Sequence, residues 1–555
     1  MVIKKLFRKI DEYSEECCYL ECTRDISEDC YKILMKLLNG FSYKSNFRDY
    51  DVIEWGKSQF FESPFSSNVV DILNRLGINN ITRVELTTRI IKANFKKELL
   101  DPIMDQIYES PIVSFDDAVK LNKLKNIEVD IDSLAEFGEE HGMAFDDDDI
   151  EYYTTLFKDK LNRNPTSCEL YDLSQGNSEH SRHWFFNGKF TINGIEMEKS
   201  PFQHIKEPLK LIKSDNVSKV AFKDNASAIM GIESVDYMVV DNPSEPCNYR
   251  VENIKFHPTL TAETHNFPTG IAPFQGAETG VGGRIRDTQS IGRGGMPVAG
   301  LAGYCVGEIS DTPRPELLHT AENILLKASN GASDYGNKFG EPIIGGFCRN
   351  FKGKINHNRK VEEREWIKPI MFSAGIGKVR DESTIKPEPQ LGMKICKLGG
   401  PAYRIGIGGG SASSRAQDKK NKNLDISAVQ RGNAEMENRL NRVVRACSEL
   451  ENNIIYSIHD QGAGGTSNVT KEIVEPYGSI IDIDKIIVGD KTMTPLEIWV
   501  SEYQEQNTIL VEERNLKILE DICIRENLPL AVIGDIIKRD NITVKSASET
   551  ILDLP

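Results

Sequence analysis

Between Thr261 and Asp287 the chain reads TAETHNFPTGIAPFQGAETGVGGRIRD, a carboxylate-histidine cluster (Glu263-Thr264-His265-Asn266) followed by a glycine-rich run that ends in Arg286-Asp287. Gly276, Gly280, Gly282 and Gly283 would let successive backbone N–H groups face one concavity, the geometry that cradles phosphate. Carboxylates at either end would hold a hard divalent cation against it. That layout suits phosphoryl transfer; the plain alternative is a loop with structural glycines. Neither GxxxxGK[ST] nor GxGxxG occurs, so a nucleotide site here belongs to a different fold.

Two further stretches carry chemistry. Asn177 to Trp184, NSEHSRHW, concentrates Glu179, His180, Arg182 and His183. A neutral imidazole at a reacting atom is worth roughly 10²- to 10⁴-fold in rate, although a histidine can equally be structural or surface. Arg404 to Gly410 reads as a strand running into a glycine turn, which is structural or functional alike. Asn433 can cap a helix with Met436, Leu440, Val444 and Cys447 on one face, and Gln430 sits just ahead of it. Ile454 to Ile458 reads as a buried strand delivering His459-Asp460 to its end, with Gly462, Gly464 and Gly465 beyond. An acid at that place suits a metal-phosphate site.

The scaffold for these residues divides readily. A chain of 555 residues should hold about three to five domains. Residues 1–145 read as a small α+β domain, with helical spacing at Glu28 to Leu38 and Asn68 to Leu76 and partial alternation at Tyr19 to Thr23 and Thr82 to Thr88. Asp146 to Asp149 precede a helix expected from near Ile150. Four adjacent acids point in different directions, so a solvated helix N-terminus explains them better than a metal site. They open a linker, 146–205. A first α/β domain, 206–386, has expected strands at Leu301 to Ile309 and Ile370 to Val379 and a helix at Ala321 to Ala328 closed by Asn330-Gly331. In this domain the 261–287 cluster is expected at a strand-to-loop exit. Pro387-Glu388-Pro389 marks a second domain, 387–555.

The formal charge of −16 argues against a nucleic-acid or anionic-membrane surface, because phosphate backbones require clustered Lys and Arg. Eleven cysteines include Cys17, Cys18, Cys22 and Cys30, yet no CxxC pair or matching histidine spacing occurs, so buried free thiols in a reducing compartment are expected rather than zinc. Lys4, Lys5, Arg8 and Lys9 are followed at once by Asp11, Glu12, Glu15 and Glu16, unlike a transit peptide, and no apolar stretch reaches membrane-spanning length. A cytoplasmic protein is expected.

ETHNFPTG, GAETGVGGRIRD and GRGG resemble phosphoribosylformylglycinamidine synthase, the ATP-dependent amidotransferase of purine biosynthesis, in its large, eukaryote-like form. The resemblance extends from about Phe60 to Pro555 through SQGNSEHSRHWFF (174–186), SNGASDYGNKFGEPIIGGF (329–347), GGPAYRIGIGGGSASS (399–414), AVQRGNAEMENRLNRVVRAC (428–447), HDQGAGG (459–465) and EYQEQN (502–507). It implies a multidomain α+β fold: a ferredoxin-like N-terminal assembly domain, a helical linker, and an aminoimidazole-ribonucleotide-synthetase-like α/β domain pair. Phe267 departs from the small-form pattern ESHNHP, which has a second histidine there, and agrees with the large form.

The resemblance also assigns roles. His265 and His180 are implied as catalytic, with the acid and base roles of the two open, and His183 as an ATP contact. The run Gly276, Ala277, Glu278, Thr279, Gly280, Val281, Gly282, Gly283, Arg284, Ile285, Arg286 and Asp287 is implied to hold ATP. Glu263, Asp287 and Asp460 are implied magnesium ligands. Thr264, Asn266, Arg286, Gln430 and the triplet Glu502, Tyr503 and Gln504 are implied substrate contacts. The implied reaction phosphorylates the amide oxygen of N-formylglycinamide ribonucleotide with ATP, and ammonia then displaces phosphate from the iminophosphate. Implied partners are a glutaminase domain or subunit outside this chain and a second synthetase domain pair, or self-association in its place. The chain ends at Pro555, where the resembled proteins continue, so an incomplete nucleotide site is expected of it alone; a non-catalytic relative that binds the purine intermediate or regulates an intact synthetase is the alternative.

Overall fold

The computed structural model describes all residues except 48–49, 60, 102, 116–124, 178–185, 213–215, 234, 310–317, 415–421 and 504. Two compact units result: Met1–Lys123 with Val488–Met493, and Leu124–Ile487 with Thr494–Pro555. Among the described residues no helix is long and apolar enough to cross a membrane.

The first unit is a five-stranded antiparallel sheet with two helices. In chain order it comprises β1 (Val2–Lys9), β2 (Ser14–Cys22), α1 (Glu28–Leu37), β3 (Val52–Lys57), α2 (Pro64–Arg75), β4 (Ile81–Ile91) and β5 (Asp105–Ile107), with sheet order β1-β2-β4-β3-β5. Strand β2 alternates faithfully. Cys18, Leu20 and Cys22 meet Leu34 of α1 and Leu73 of α2 on one face, while Cys17 and Tyr19 meet Ile112 and Phe115 on the other. Side-chain caps start both helices: Ser27 accepts the Cys30 N–H, and Ser63 accepts the Ser66 N–H with Pro64 behind it, so α2 begins ahead of the spacing read from Asn68. The β2-α1-β3 crossover with β4 between its strands is a split β-α-β unit, as in a ferredoxin-like domain. Its order of elements, β-β-α-β-α-β-β, differs from the regular β-α-β-β-α-β: β1 precedes the unit, a single strand, β3, stands between the two helices, and β5 follows β4.

In the second unit Asp146 caps α3 (Asp147–Thr155) through a reciprocal capping box with Asp149, so the acidic run is the helix's first turn. A second capping box, Thr166 with Glu169, starts α4 (Ser167–Gly176). Glu169 also takes both guanidinium nitrogens of Arg163, at 2.8 and 2.6 Å, and the Asp553 N–H at 3.0 Å, tying this helix to the last strand of the chain.

Two sheets follow. The first has order β10-β9-β11-β8-β7-β6, built from β6 (Ser218–Val220), β7 (Ser227–Ile229), β8 (Phe256–Thr264), β9 (Met296–Val306), β10 (Ile343–Asn350) and β11 (Ile370–Arg380). Over it lie α5 (Asn266–Ile271), α6 (Pro273–Gln289) and α7 (Ala321–Phe339); Ala277, Val281 and Ile285 of α6 pack with Ala328, Ala332 and Tyr335 of α7 and Met371 of β11. Helix α7 runs through Asn330-Gly331, expected to close it, and stops at Gly340 with φ 97°. Gly331 is instead a contact point: a β-carbon there would lie 2.1 Å from the Phe274 carbonyl oxygen.

The second sheet has order β13-β15-β12-β16-β14-β17-β18, from β12 (Lys394–Gly399), β13 (Ser457–Asp460), β14 (Gly478–Asp482), β15 (Gln506–Val511), β16 (Leu530–Ile537), β17 (Ile542–Ser546) and β18 (Glu549–Leu554). Asn433 caps α9 (Ala434–Ser448) by accepting the Met436 N–H, and Met436, Leu440, Val444 and Cys447 are buried against β12 and β15. Residues 404–408 form turns, not the expected strand; Gly406 and Gly408 take φ 65° and 74°, and the short helix α8 (Gly409–Ser414) begins directly after them.

Candidate active site

A cavity of about 340 Å³ opens in the second unit between the end of β8, helices α5 and α6, the end of β13 and the start of α8. Strand β8 delivers Glu263 and Thr264 to its rim. The chain then turns at His265, whose N–H donates to the Met371 carbonyl at 2.7 Å, and α5 begins. His265 Nδ1 donates to the Gly276 carbonyl at 2.5 Å, which makes Nε2 the basic nitrogen of the neutral ring. Asn266 accepts the Met371 N–H through Oδ1 at 3.1 Å. Glu263, Thr264, His265 and Asn266 all line the cavity.

The glycine-rich run is not the expected anion-cradling loop. It lies inside the 17-residue helix α6, so its N–H groups are directed along the helix and are not aimed at a ligand. The glycines serve approach instead. A β-carbon on Gly276 would fall 2.4 Å from the Thr269 nitrogen, one on Gly280 2.9 Å from His265 Cβ, and one on Gly282 2.7 Å from the Tyr335 hydroxyl. Of the run, Thr279, Gly283, Arg286 and Asp287 reach the cavity; Gly276, Ala277, Glu278, Gly280, Val281, Gly282, Arg284 and Ile285 do not line it. A signal for this helix was present: Pro273 at its first position and Ala277, Val281 and Ile285 four residues apart.

Asp287, one helical turn beyond Gly283, faces Asp460 at the end of β13. Asn225, which sequence reasoning missed, bridges them: its Nδ2 donates to Asp287 Oδ1 at 3.4 Å and to Asp460 Oδ1 at 2.5 Å. Thr261 donates a further hydrogen bond to Asp287 at 3.2 Å. Burial and the Asp460 charge push the Glu263 carboxyl up to about 7, and burial with both neighbouring acids pushes Asp287 well above its ordinary value. Asp460 is lowered: burial opposes its charge, but His459, Arg286 and Lys386 outweigh it. A site that crowds three carboxylates until two resist ionisation is one that a hard divalent cation would relieve, so the donor set fits magnesium. As they stand the three do not converge on one point: among the described residues no group of three or more His, Cys, Asp or Glu side chains is arranged to hold an ion.

Arg286 lines the cavity yet is buried, and its Nη1 donates to Glu437 at 3.0 Å; Gln289 donates to the other Glu437 oxygen at 2.8 Å. Its guanidinium thus joins α6 to α9 as well as facing the site. Glu502 closes the opposite wall. It accepts the Gly464 N–H at 2.9 Å, the Gly410 N–H at 3.2 Å and Gln430 Nε2 at 2.7 Å, and burial raises its carboxyl to about 7. Gly409 is forced by this arrangement, since a β-carbon would meet Glu502 Oε2 at 2.5 Å. Gln175, near the end of linker helix α4, accepts the same Gly410 N–H at 3.0 Å and donates to Ser411 at 2.8 Å. Tyr503 turns away from the cavity: its hydroxyl meets Thr466 at 3.2 Å and Lys397 lies 4.9 Å above its ring. His180, His183 and Gln504 lie outside the described residues.

Comparison with known proteins places this geometry in context. Residues 390–546 match a family described as AIR synthase related protein, C-terminal domain, and residues 134–183 match the formylglycinamide ribonucleotide amidotransferase linker domain. The chain is 45% identical over 513 residues to a probable phosphoribosylformylglycinamidine synthase, chloroplastic/mitochondrial, of Arabidopsis thaliana, covering 87% of this chain and 36% of that protein. With the phosphoribosylformylglycinamidine synthase of Dictyostelium discoideum it shares 43% over 536 residues, 91% of this chain and 39% of that protein. It thus spans less than half the length of these relatives. Among solved structures, T. maritima PurL complexed with FGAR superposes with a TM-score of 0.52 at 24% identity, over 72% of this chain and 54% of that one, a likeness of fold.

Proposed function

Because the chain is homologous to phosphoribosylformylglycinamidine synthase, matching its N-terminal region in sequence and domain composition, we propose that it takes part in the ATP-dependent amidation of N-formylglycinamide ribonucleotide to formylglycinamidine ribonucleotide in purine biosynthesis. One observation carries this reading: Glu263, His265, Asp287, Asp460, Gln430 and Glu502, far apart in sequence, converge on a single cavity. The reading includes ATP and magnesium, ammonia supplied by a glutaminase, and a second synthetase domain pair as partner.

Glu263, Asp287 and Asp460 would hold magnesium, which when bound would neutralise charge on the transferring phosphoryl group. The protein's own groups do the rest by position. His265 Nε2, oriented by the Gly276 carbonyl on Nδ1, accepts or returns the proton of the amide and of the entering ammonia. Gln430 and Glu502, locked to each other and to two backbone N–H groups, hold the substrate from the opposite wall of the cavity. Thr264 lines the cavity just ahead of the histidine.

The test is ADP release by the purified chain given N-formylglycinamide ribonucleotide, ATP, magnesium and a high concentration of ammonium, with and without the second synthetase half of a relative. Ribonucleotide-dependent ADP release that His265→Ala abolishes, with ribonucleotide binding retained, supports the reading. Silence under both conditions removes it.

A further inference from the structure

Among the described residues the cavity wall carries four carboxylates, Glu263, Asp287, Asp460 and Glu502, but only two cations, Arg286 and Lys368. Arg286 is buried and engaged with Glu437. Lys368 is different: it is exposed, and among the described residues its ammonium has no hydrogen-bond or ion-pair partner. What it has is an aromatic support, the Phe267 ring, whose centroid lies 5.9 Å from Nζ. Phe267 is itself buried in a cluster with Ile271, Ala412 and Val429, so the platform is rigid. Asn266, which precedes Phe267, lines the same cavity; its Oδ1 accepts the Met371 N–H, and its Nδ2 has no partner among the described residues.

An uncommitted ammonium and an uncommitted amide donor at one lip of an otherwise acidic cavity are the equipment of an oxyanion contact. Two anions belong to the proposed reaction. A nucleoside triphosphate brings a divalent cation to its own phosphates, and Glu263, Asp287 and Asp460 would provide for that ion. A phosphate monoester brings none and needs a protein cation. We propose that Lys368, carried over the Phe267 ring and assisted by Asn266, binds the 5′-phosphate of the ribonucleotide substrate; this rests on the synthetase reading above.

Isothermal titration of the full chain tests this with four samples: wild type, Lys368→Met, Lys368→Arg and, as ligand control, the dephosphorylated riboside in place of N-formylglycinamide ribonucleotide. Lys368→Met is expected to weaken ribonucleotide binding about tenfold, Lys368→Arg to stay within about threefold of wild type, and the riboside to bind both chains alike. Magnesium-ATP affinity should be unchanged in Lys368→Met. Wild-type ribonucleotide affinity in Lys368→Met overturns the assignment and leaves the synthetase reading standing. A loss confined to magnesium-ATP overturns it by giving the lysine to the nucleotide. A wild-type chain that binds no ribonucleotide removes the synthetase reading and this proposal with it.

Discussion

His265 rests directly on Gly280: the missing β-carbon of Gly280 would stand 2.9 Å from His265 Cβ and 3.2 Å from Cγ. Both approached atoms are close to the backbone, so the histidine cannot swing aside as a flexible side chain would. Gly280→Ala should push the imidazole off its Gly276 hydrogen bond. Turnover is expected to fall about 10- to 100-fold, as a misplacement near 1 Å does, while ribonucleotide affinity changes by less than about threefold. Steady-state kinetics on an otherwise folded Gly280→Ala chain decides it; unchanged kcat would remove His265 from the chemistry.

Crowding of Glu263, Asp287 and Asp460 gives a second expectation. An ion that binds only the folded chain, at about a hundredfold excess over its dissociation constant, adds about 2.7 kcal/mol of stability. Magnesium should therefore raise the unfolding midpoint of the wild type, and Glu263→Gln or Asp287→Asn should lose most of that rise. Denaturation with and without magnesium chloride reads this out, with potassium chloride at matched ionic strength as control. A wild-type midpoint that ignores magnesium would strip the carboxylates of their assigned role.

Much of the scaffold was legible because its signals are local. Asn433 caps the helix that its position announces, Asp146 to Asp149 form a helix N-terminus, and Met436, Leu440, Val444 and Cys447 are buried as their spacing requires. The glycine-rich run misled for a physical reason: glycine permits both a phosphate-cradling loop and close helix packing, and composition alone favours the loop. What distinguishes them is the Ala277-Val281-Ile285 stripe, which the glycines obscure. Asn225 and Lys368 could not be read at all. Each enters the site from a distant segment, Asn225 just ahead of β7 and Lys368 just ahead of β11, with no motif around it.

The Arg286–Glu437 pair makes stability, and not only binding, depend on Arg286. Both side chains are buried, and burial raises the Glu437 carboxyl against the pull of Arg286. Removing one partner strands the other. Arg286→Met is expected to cost roughly 3–5 kcal/mol, and adding Glu437→Gln should restore part of that loss because Glu437 then carries no uncompensated charge. Urea unfolding of the two single variants and the double variant completes the cycle. If Arg286→Met unfolds with the wild-type midpoint, the pair is not a strut between α6 and α9.

Glu505 makes stability depend on pH. It is buried beneath the same network, accepting the Tyr335 hydroxyl at 2.9 Å and the Asn433 N–H at 2.9 Å. Burial pushes its carboxyl up to about 8 from an ordinary value of 4.5, with Arg286 opposing the shift. Below about 4.5 the folded and unfolded chains both hold this proton. Between about 4.5 and about 8 the folded chain binds more of it, so the stability contributed by this group falls as pH rises through that window and is constant above it. Glu505→Gln keeps the acceptor oxygen and has no proton to lose. Its stability relative to wild type should therefore increase steadily from pH 5 to pH 8 in paired urea titrations. A relative stability that stays level over the same range would mean that Arg286 holds Glu505 ionised in the folded chain.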